Sequence, residues 1–176
     1  MGTVNGLPAH VLLVHAIVVL LPLSALLLVL TALWPAARTR LATSNAILSL
    51  IVVVLVPITT SAGEWLERRI PGSPLLHDHT QLGDTAIWVA IPVAVVALVI
   101  WWRNREATAV TADPGTGHRT YLAPLSVKLT RAIAGIAVVV AVIGTYDIYR
   151  IGDSGAKAAW TGQFSSTPAP ESRPGR

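Results

Sequence analysis

Four long stretches of apolar residues alternate with short polar segments along the chain, and their lengths set the first prediction. They cover residues 7–34, 41–60, 85–102 and 129–148. Each approaches the roughly 20 residues that an α-helix needs to cross about 30 Å of hydrocarbon. β-Branched residues are frequent in them, but an isolated strand would leave its backbone groups unsatisfied in lipid. The pattern therefore predicts an all-α fold, an integral membrane four-helix bundle.

Two further patterns bear on how these helices would pack. Three of the stretches contain a proline, which removes a backbone hydrogen-bond donor and bends a helix: Pro22, Pro57 and Pro92. The fourth carries small residues at spacings of three and four, which would let a neighbouring helix approach, although alanine is also a good helix former: Ala134, Ala137, Ala141 and Gly144. We expect one four-span transmembrane domain over residues 1–162 and a disordered Pro- and Ser-rich tail over residues 163–176.

Composition supports the membrane class and excludes several kinds of site. Hydrophobic residues make up 53% of the chain and charged residues only 12%, against about 25% charged in ordinary soluble domains. The absence of cysteine excludes disulfides, thiolate zinc sites, Cys-ligated iron–sulfur clusters and covalently attached c-type haem. The net charge of +4 is typical of lipid-facing loops, and no aromatic-interleaved basic patch suggests a nucleic-acid partner.

Basic residues near the span ends predict the orientation, because cytoplasmic connections carry an excess of Lys and Arg. Seven adjoin one membrane face: Arg38, Arg40, Arg103, Arg105, Arg119, Lys128 and Arg131. Four adjoin the other: Arg68, Arg69, Arg150 and Lys157. We therefore expect both termini and the second connection to be extracytoplasmic.

Four of the five histidines fall at the extracytoplasmic face under this orientation. His10 and His15 open the first span, and His77 and His79 lie in the second connection, whereas His118 lies in the third connection. Residues five apart on a helix differ by about 140° in direction, so we expect His10 and His15 to point to different sides. We expect the segment around His77 and His79 to be a loop, in which both rings can face one side.

The acidic side chains in the same segments have simpler interpretations. We expect Asp147 to form an ion pair with Arg150 at i, i+3, and Glu64 to face water or to pair with Arg68 at i, i+4. Histidines at span ends also commonly sit at the membrane–water interface with one side of the ring wet. That interpretation needs no ligand.

Four short motifs carry a family resemblance across roughly residues 5–160. In chain order they read LPAHVLLVHAIVVLLP, TTSAGEWL, HDHTQLGD and GTYDIYRIGDSGA. The chain resembles a bacterial family of small four-span membrane proteins whose shared domain has no assigned function. That family commonly has L-P-x-H-P-L-L-V-H-F-P-I, then T-G-x-x-D/E-W, a histidine-bearing connection, and G-G-x-x-x-Y-R-x-G. This chain departs from it at Val11, where the family has proline, and at Ala16, where it has an aromatic residue.

The resemblance implies a bundle in the bacterial cytoplasmic (inner) membrane with the motif residues at one face. Some relatives are joined to Rieske-type or cytochrome-like modules, which implies electron-transfer chemistry nearby and a redox protein or respiratory membrane complex as partner. This is an association between proteins and does not by itself give a mechanism.

The first functional hypothesis is a protein that binds haem b or a divalent metal through histidines from separate segments and acts in membrane electron transfer. His15 with His79 is the preferred pair, His77 is the substitute for His79, and His10 is the fourth candidate. Side chains that would orient the ligating rings are Glu64, Asp78, Tyr146 and Asp147.

Two alternatives come from different functional classes. In a non-catalytic accessory or scaffold subunit, the small-residue stripe would pack against a partner helix or a second copy of the chain. A transporter or proton relay would need ionisable groups in mid-membrane, but the polar residues there are Ser24, Asn45 and Ser49, none of which titrates. No nucleophile–base pair or catalytic motif appears, so an enzyme is the weaker expectation.

Overall fold

The described residues form five helices and one short hairpin. The computed structural model describes residues 2–112, 120–122, 126–165 and 167. The hairpin pairs β1 (Thr3–Val4) with β2 (Leu7–Pro8). The helices are α1 (Ala9–Leu33), α2 (Pro35–Glu67), α3 (Pro74–Gly83), α4 (Ala86–Ala112) and α5 (Val127–Trp160).

Four helical segments of the described chain are long and apolar enough to cross a membrane, which confirms the all-α four-helix membrane fold. They are α1, α2, α5 and the segment Pro74–Ala112, in which α3 is followed by α4. Large apolar side chains cover the outside of the bundle, as expected where hydrocarbon replaces water; examples are Val19, Val54 and Val142. The protein is therefore a multi-pass membrane protein whose surroundings are a lipid bilayer.

Proline sets the boundary between the first two helices. A residue that precedes proline is forced out of the helical region, and Trp34, before Pro35, is extended with φ −116° and ψ 112°. Pro35 then begins α2, because the first position of a helix needs no backbone donor. The chain therefore turns back at a single residue, which places α1 and α2 side by side.

The core lies in two layers along the bundle. The layer near the start of α1 includes Ile17, Leu21 and Val56, and the layer near its end includes Leu28 and Val93. The small-residue stripe of α5 faces this core as predicted: Ala137 and Ala141 are buried, Ala134 packs against the second layer, and a Cβ atom at Gly144 would lie 3.5 Å from Leu21.

Buried polar side chains of the mid-membrane region are satisfied within the bundle. Ser24 donates to the carbonyl of Leu21 at 2.9 Å, and Ser49 donates to that of Asn45 at 2.8 Å. With its amide oriented to satisfy both groups, Asn45 donates to the Ser24 carbonyl at 3.0 Å and accepts from the Leu28 amide at 3.2 Å. The bonds of Asn45 tie α2 to α1 without any ionisable group.

Two helices are longer than the apolar stretches that predicted them. α2 has 33 residues and α5 has 34, lengths of about 50 Å against about 30 Å of hydrocarbon. Their polar ends therefore continue as helix beyond the membrane and carry side chains above its surface. The predicted disordered tail falls largely on residues 166 and 168–176, which with His118 lie outside the described residues.

Candidate functional site

His10 is held at the start of α1 by the neighbouring helix α2. Its ring is half-buried, and Nδ1 lies 3.0 Å from the carbonyl oxygen of Thr59. A carbonyl oxygen can only accept a hydrogen bond, so the proton of the neutral ring is on Nδ1. Nε2 of His10 is therefore left with a lone pair and no proton.

His79 is held in the same way by α5. Its Nδ1 lies 3.0 Å from Oγ of Ser154. The single hydroxyl proton of Ser154 goes to the carbonyl of Ile151 at 2.8 Å, so Oγ accepts from the histidine. That carbonyl also interacts with the His79 ring. The neutral ring of His79 therefore also carries its proton on Nδ1 and presents Nε2 as a lone pair.

The two rings contact each other across the gap between α1 and α3. Their centroids are 6.3 Å apart, with the planes at 70° in an edge-to-face arrangement. A glycine lies against each ring: a Cβ atom on Gly63 would come within 3.0 Å of His10, and one on Gly155 within 2.9 Å of His79. Real Cβ atoms rarely make contacts this short, so the absence of a Cβ at Gly63 and Gly155 leaves the space that the two rings occupy.

His15 lies on the outer side of α1, away from this contact. The residue is exposed, and its Nδ1 is hydrogen-bonded to the carbonyl of Val11 in the same helix. His10 is half-buried and faces α2, so the two rings point to different sides of α1, as their spacing predicted. The ring that meets His79 is therefore His10, whereas our preferred partner was His15.

The expected loop around His77 and His79 is a helix, so that prediction was wrong. Ser73 accepts a hydrogen bond from the Leu76 amide at 3.1 Å and Pro74 occupies the first helical turn, a strong start signal for α3. Residues two apart on a helix differ by about 160°. His79 accordingly faces the bundle, while His77 is exposed and its Nε2 lies 2.9 Å from Nε2 of Gln81.

The acidic side chains of Asp147 and Glu64 bond to groups other than the histidine rings. Asp147 is buried and accepts a hydrogen bond from Thr85 Oγ1 at 2.8 Å, and no ion pair between Asp147 and Arg150 occurs among the described residues. The predicted i, i+3 pair is therefore wrong. The i, i+4 pair of Glu64 with Arg68 is confirmed at 3.9 Å between exposed side chains.

Two of the other predicted orienting residues are on the surface. Tyr146 is 61% exposed, and Asp78 is exposed on α3, where it lines an open cleft with Arg150 and Ser154. The groups that hold the rings are instead Ser154 and the Thr59 carbonyl. We did not identify Ser154 from the sequence, although it and both ring-contacting glycines lie inside the motifs TTSAGEWL and GTYDIYRIGDSGA.

Two imidazole rings make up the site, and the described chain places no third metal-ligating side chain with them. Within the part of the chain that the structure describes, no group of three or more His, Cys, Asp or Glu side chains gathers where it could hold an ion. Hydrogen-bond geometry likewise gives neither Nε2 atom a protein partner in that part. The pair can therefore accept a hydrogen bond or ligate a cation, but it cannot enclose one.

These features define a class: a four-span integral membrane protein with two anchored imidazoles paired at one end of the bundle. The family model described as Predicted membrane protein (DUF2231) matches residues 6–168. The chain belongs to this family, which confirms the resemblance to a four-span family of unassigned function. No curated protein and no solved structure matches the chain.

Proposed function

We propose that His10 and His79 bind one transition-metal ion through their Nε2 atoms. The observation that carries the proposal is the anchoring of both rings: each Nδ1 lies 3.0 Å from a protein oxygen, to which it donates when the ring is neutral and the proton is on Nδ1. A metal-ligating histidine almost always donates its other ring nitrogen in this way, because the bond fixes the tautomer and aims the free nitrogen.

The separation of the rings suits a shared ion. Two imidazoles on opposite sides of one ion, each nitrogen about 2.0–2.1 Å from it, place their ring centres roughly 6 Å apart. The centroids of His10 and His79 are 6.3 Å apart. The proposal requires both Nε2 lone pairs to converge on one point between the two rings, where the ion would lie.

Copper is the ion that we favour, with zinc second. Imidazole suits both, and Cu²⁺ stands highest in the affinity order of the first-row divalent ions. With only two protein ligands, the remaining coordination positions stay open to water or to a group from a redox partner. A copper site of this kind would serve membrane electron transfer, the role that the family resemblance implies.

Haem b is a second candidate, because a bis-histidine haem also takes two protein ligands. A porphyrin needs a broad slot lined by both rings. Neither of two cavities in the described chain is lined by His10 or His79: one is lined by Arg38 and Arg103 at the other end, and the other, lined by Asp78 and Ser154, adjoins only the serine that holds His79. A bare ion therefore fits the ring pair more readily than haem does.

The test is a metal titration of the full chain in detergent, with histidines of the same two segments as matched controls. After chelator treatment, Cu²⁺ and Zn²⁺ are titrated by calorimetry and bound metal is counted by mass spectrometry. We expect one ion per chain and at least a hundredfold weaker binding in His10→Ala and in His79→Ala. His15→Ala and His77→Ala, which remove exposed rings, should bind as the wild type does.

Three other outcomes of this titration have distinct meanings. Equal binding by all four variants would show that the ring pair is not the ligand set. An α-band in the reduced-minus-oxidised spectrum that disappears in His79→Ala would identify haem instead of a bare ion. No metal and no haem, with normal folding of the wild type, would favour the scaffold role, in which the two rings only dock α3 on the bundle.

We also propose that the end of the bundle that carries His10 and His79 is extracytoplasmic, as the distribution of basic residues predicts. The absence of native cysteine makes this simple to test with single cysteines in the short connections. A membrane-impermeant maleimide should label Gly72→Cys in intact cells and should label Ala36→Cys only after lysis. The reverse pattern would overturn the orientation and leave the ring pair unaffected.

A further inference from the structure

Arg103 is a buried guanidinium group at the opposite end of the bundle from the histidines. Its residue is 5% exposed. Nη2 donates to Thr130 Oγ1 at 3.0 Å, whereas Nη1 has no hydrogen-bond partner in the part of the chain that the structure describes. A buried charge without a partner is costly, and in membrane proteins such residues usually mark a functional site.

No carboxylate neutralises Arg103 within the described residues. The ion pairs found there are those of Arg68 with Glu64 and of Lys157 with Asp153, both at the histidine end. Glu106, one turn beyond Arg103 on α4, accepts from Trp102 Nε1 at 2.7 Å and from the backbone amide of Leu122 at 2.8 Å. The positive charge of Arg103 therefore requires a counter-ion from outside these groups.

A second arginine faces the same space. Arg38 and Arg103 both line a cavity of about 160 Å³ between the start of α2, the second half of α4 and the start of α5. Arg38 donates from Nε to the Thr31 carbonyl at 2.8 Å and from Nη2 to the Ala32 carbonyl at 2.6 Å, which caps α1. The charges of Arg38 and Arg103 repel each other, so an anion between them would remove that repulsion.

The helices around the cavity add to its positive potential. Pro35 and Thr39 belong to the first turns of α2, and Thr130 belongs to the first turn of α5. The amino end of a helix carries a partial positive charge that favours anions. The cavity volume exceeds what a single water needs, so there is room for a tetrahedral oxyanion.

We propose that this cavity binds a phosphate group, with Arg103 as its principal ligand and Arg38 as the second. The planar fork of guanidinium donors matches phosphate oxygens in geometry and keeps its charge when buried. The phosphate belongs either to the headgroup of an anionic lipid or to a soluble phosphate. This site is separate from the histidine pair and does not depend on the function proposed for it.

The experiment compares three probes on the purified full chain by native mass spectrometry and by thermal shift. They are phosphatidylglycerol, diacylglycerol with the same acyl chains but no phosphate, and inorganic phosphate. We expect one phosphatidylglycerol per chain, at least tenfold weaker binding in Arg103→Met, and wild-type binding in Arg40→Met, which removes an exposed arginine at the same end. Diacylglycerol should not compete.

The probes also separate the two sources of phosphate. Competition by inorganic phosphate at millimolar concentration would identify a soluble ligand, and its failure to compete would identify the lipid. If Arg103→Met does not fold, Arg103→Lys keeps the charge, loses the fork and should still bind at least tenfold more weakly. Unchanged phosphatidylglycerol and phosphate binding in either folded variant would overturn the proposal.

Discussion

The two ends of the bundle differ in how they hold their ionisable side chains. Each must place ionisable side chains where helices leave the hydrocarbon. At one end, His10 and His79 are held by hydrogen bonds from Nδ1 to a carbonyl and to a hydroxyl. At the other end, Arg103 is buried beside Arg38, and one of its nitrogens has no partner among the described residues.

The difference shows why burial costs less for one residue type than for the other. A histidine can be buried as a neutral ring, and a neutral ring needs no counter-ion. An arginine stays charged in any protein environment. The histidine end is therefore suited to a cation, and the arginine end to an anion.

The largest expected loss of stability comes from breaking the buried carboxylate contact at the histidine end. Thr85 Oγ1 lies 2.8 Å from Asp147 Oδ2 and 2.7 Å from the Leu82 carbonyl oxygen, so its one proton is shared between the two acceptors. Thr85→Val removes the only described donor to Asp147, and a hydrogen bond to a carboxylate is worth about 1.5–3 kcal/mol. We expect a loss of that size in thermal or denaturant unfolding in detergent. Thr60→Val, whose hydroxyl bonds only within its own helix, should change stability little. Equal losses in both variants would contradict the importance of the contact.

The next effect comes from filling the space that a glycine leaves for a ring. The Cβ of Gly155→Ala would lie 2.9 Å from the His79 ring, and such overpacking costs about 1–3 kcal/mol. Gly152→Ala, in the same helix with nothing within 4 Å of its Cβ, should instead gain up to about 1 kcal/mol from helix propensity. If both substitutions stabilise the protein, His79 does not lie against Gly155.

A smaller effect on stability, but a measurable one on binding, is expected when the anchor of His79 is removed. Ser154→Ala leaves the ring in place without its hydrogen bond, and loss of such a partner typically weakens metal binding about 10- to 100-fold. Metal titration should detect this, while the unfolding temperature changes little. Ser61→Ala, at an exposed position on α2, serves as the control. Unchanged affinity in Ser154→Ala would contradict the role of Ser154 as the group that orients the His79 ring.

The smallest effect is expected at the arginine end. Arg103 is buried, and one of its nitrogens has no partner in the part of the chain that the structure describes. Replacing it by a residue of similar length therefore removes a cost as well as a hydrogen bond. In phosphate-free, lipid-depleted detergent we expect Arg103→Met to lie within about 1 kcal/mol of the wild type. A large loss in unfolding experiments would mean that an internal partner neutralises the arginine.

The helices were predictable from the sequence because backbone groups left unpaired in lipid are costly whichever side chains the residues carry. The direction of individual rings was harder to predict. α1 is apolar around its whole circumference, so its pattern does not show which of His10 and His15 faces the bundle. The helix α3 was not predicted, although Ser73 and Pro74 form a good start signal.

Contacts between residues far apart in the sequence account for most of the remaining differences between the predictions and the structure. Local spacing suggested Arg150 as the partner of Asp147, but the buried carboxylate bonds to Thr85, which lies 62 positions away. The sequence places Arg103 among the interfacial charges that set the orientation. Its burial depends on packing against α5, where Thr130 accepts its hydrogen bond. Rules based on the spacing of nearby residues cannot predict either of these long-range contacts.

The most direct test of the central claim is nitrogen NMR of the protein labelled with ¹⁵N only in histidine, recorded at alkaline pH in detergent. His10 and His79 are assigned by the signals missing from His10→Ala and His79→Ala. Both rings should carry their proton on Nδ1, and one equivalent of Zn²⁺ should shift both Nε2 signals together. A proton on Nε2 of either ring, or a shift in only one of them, would contradict a shared site.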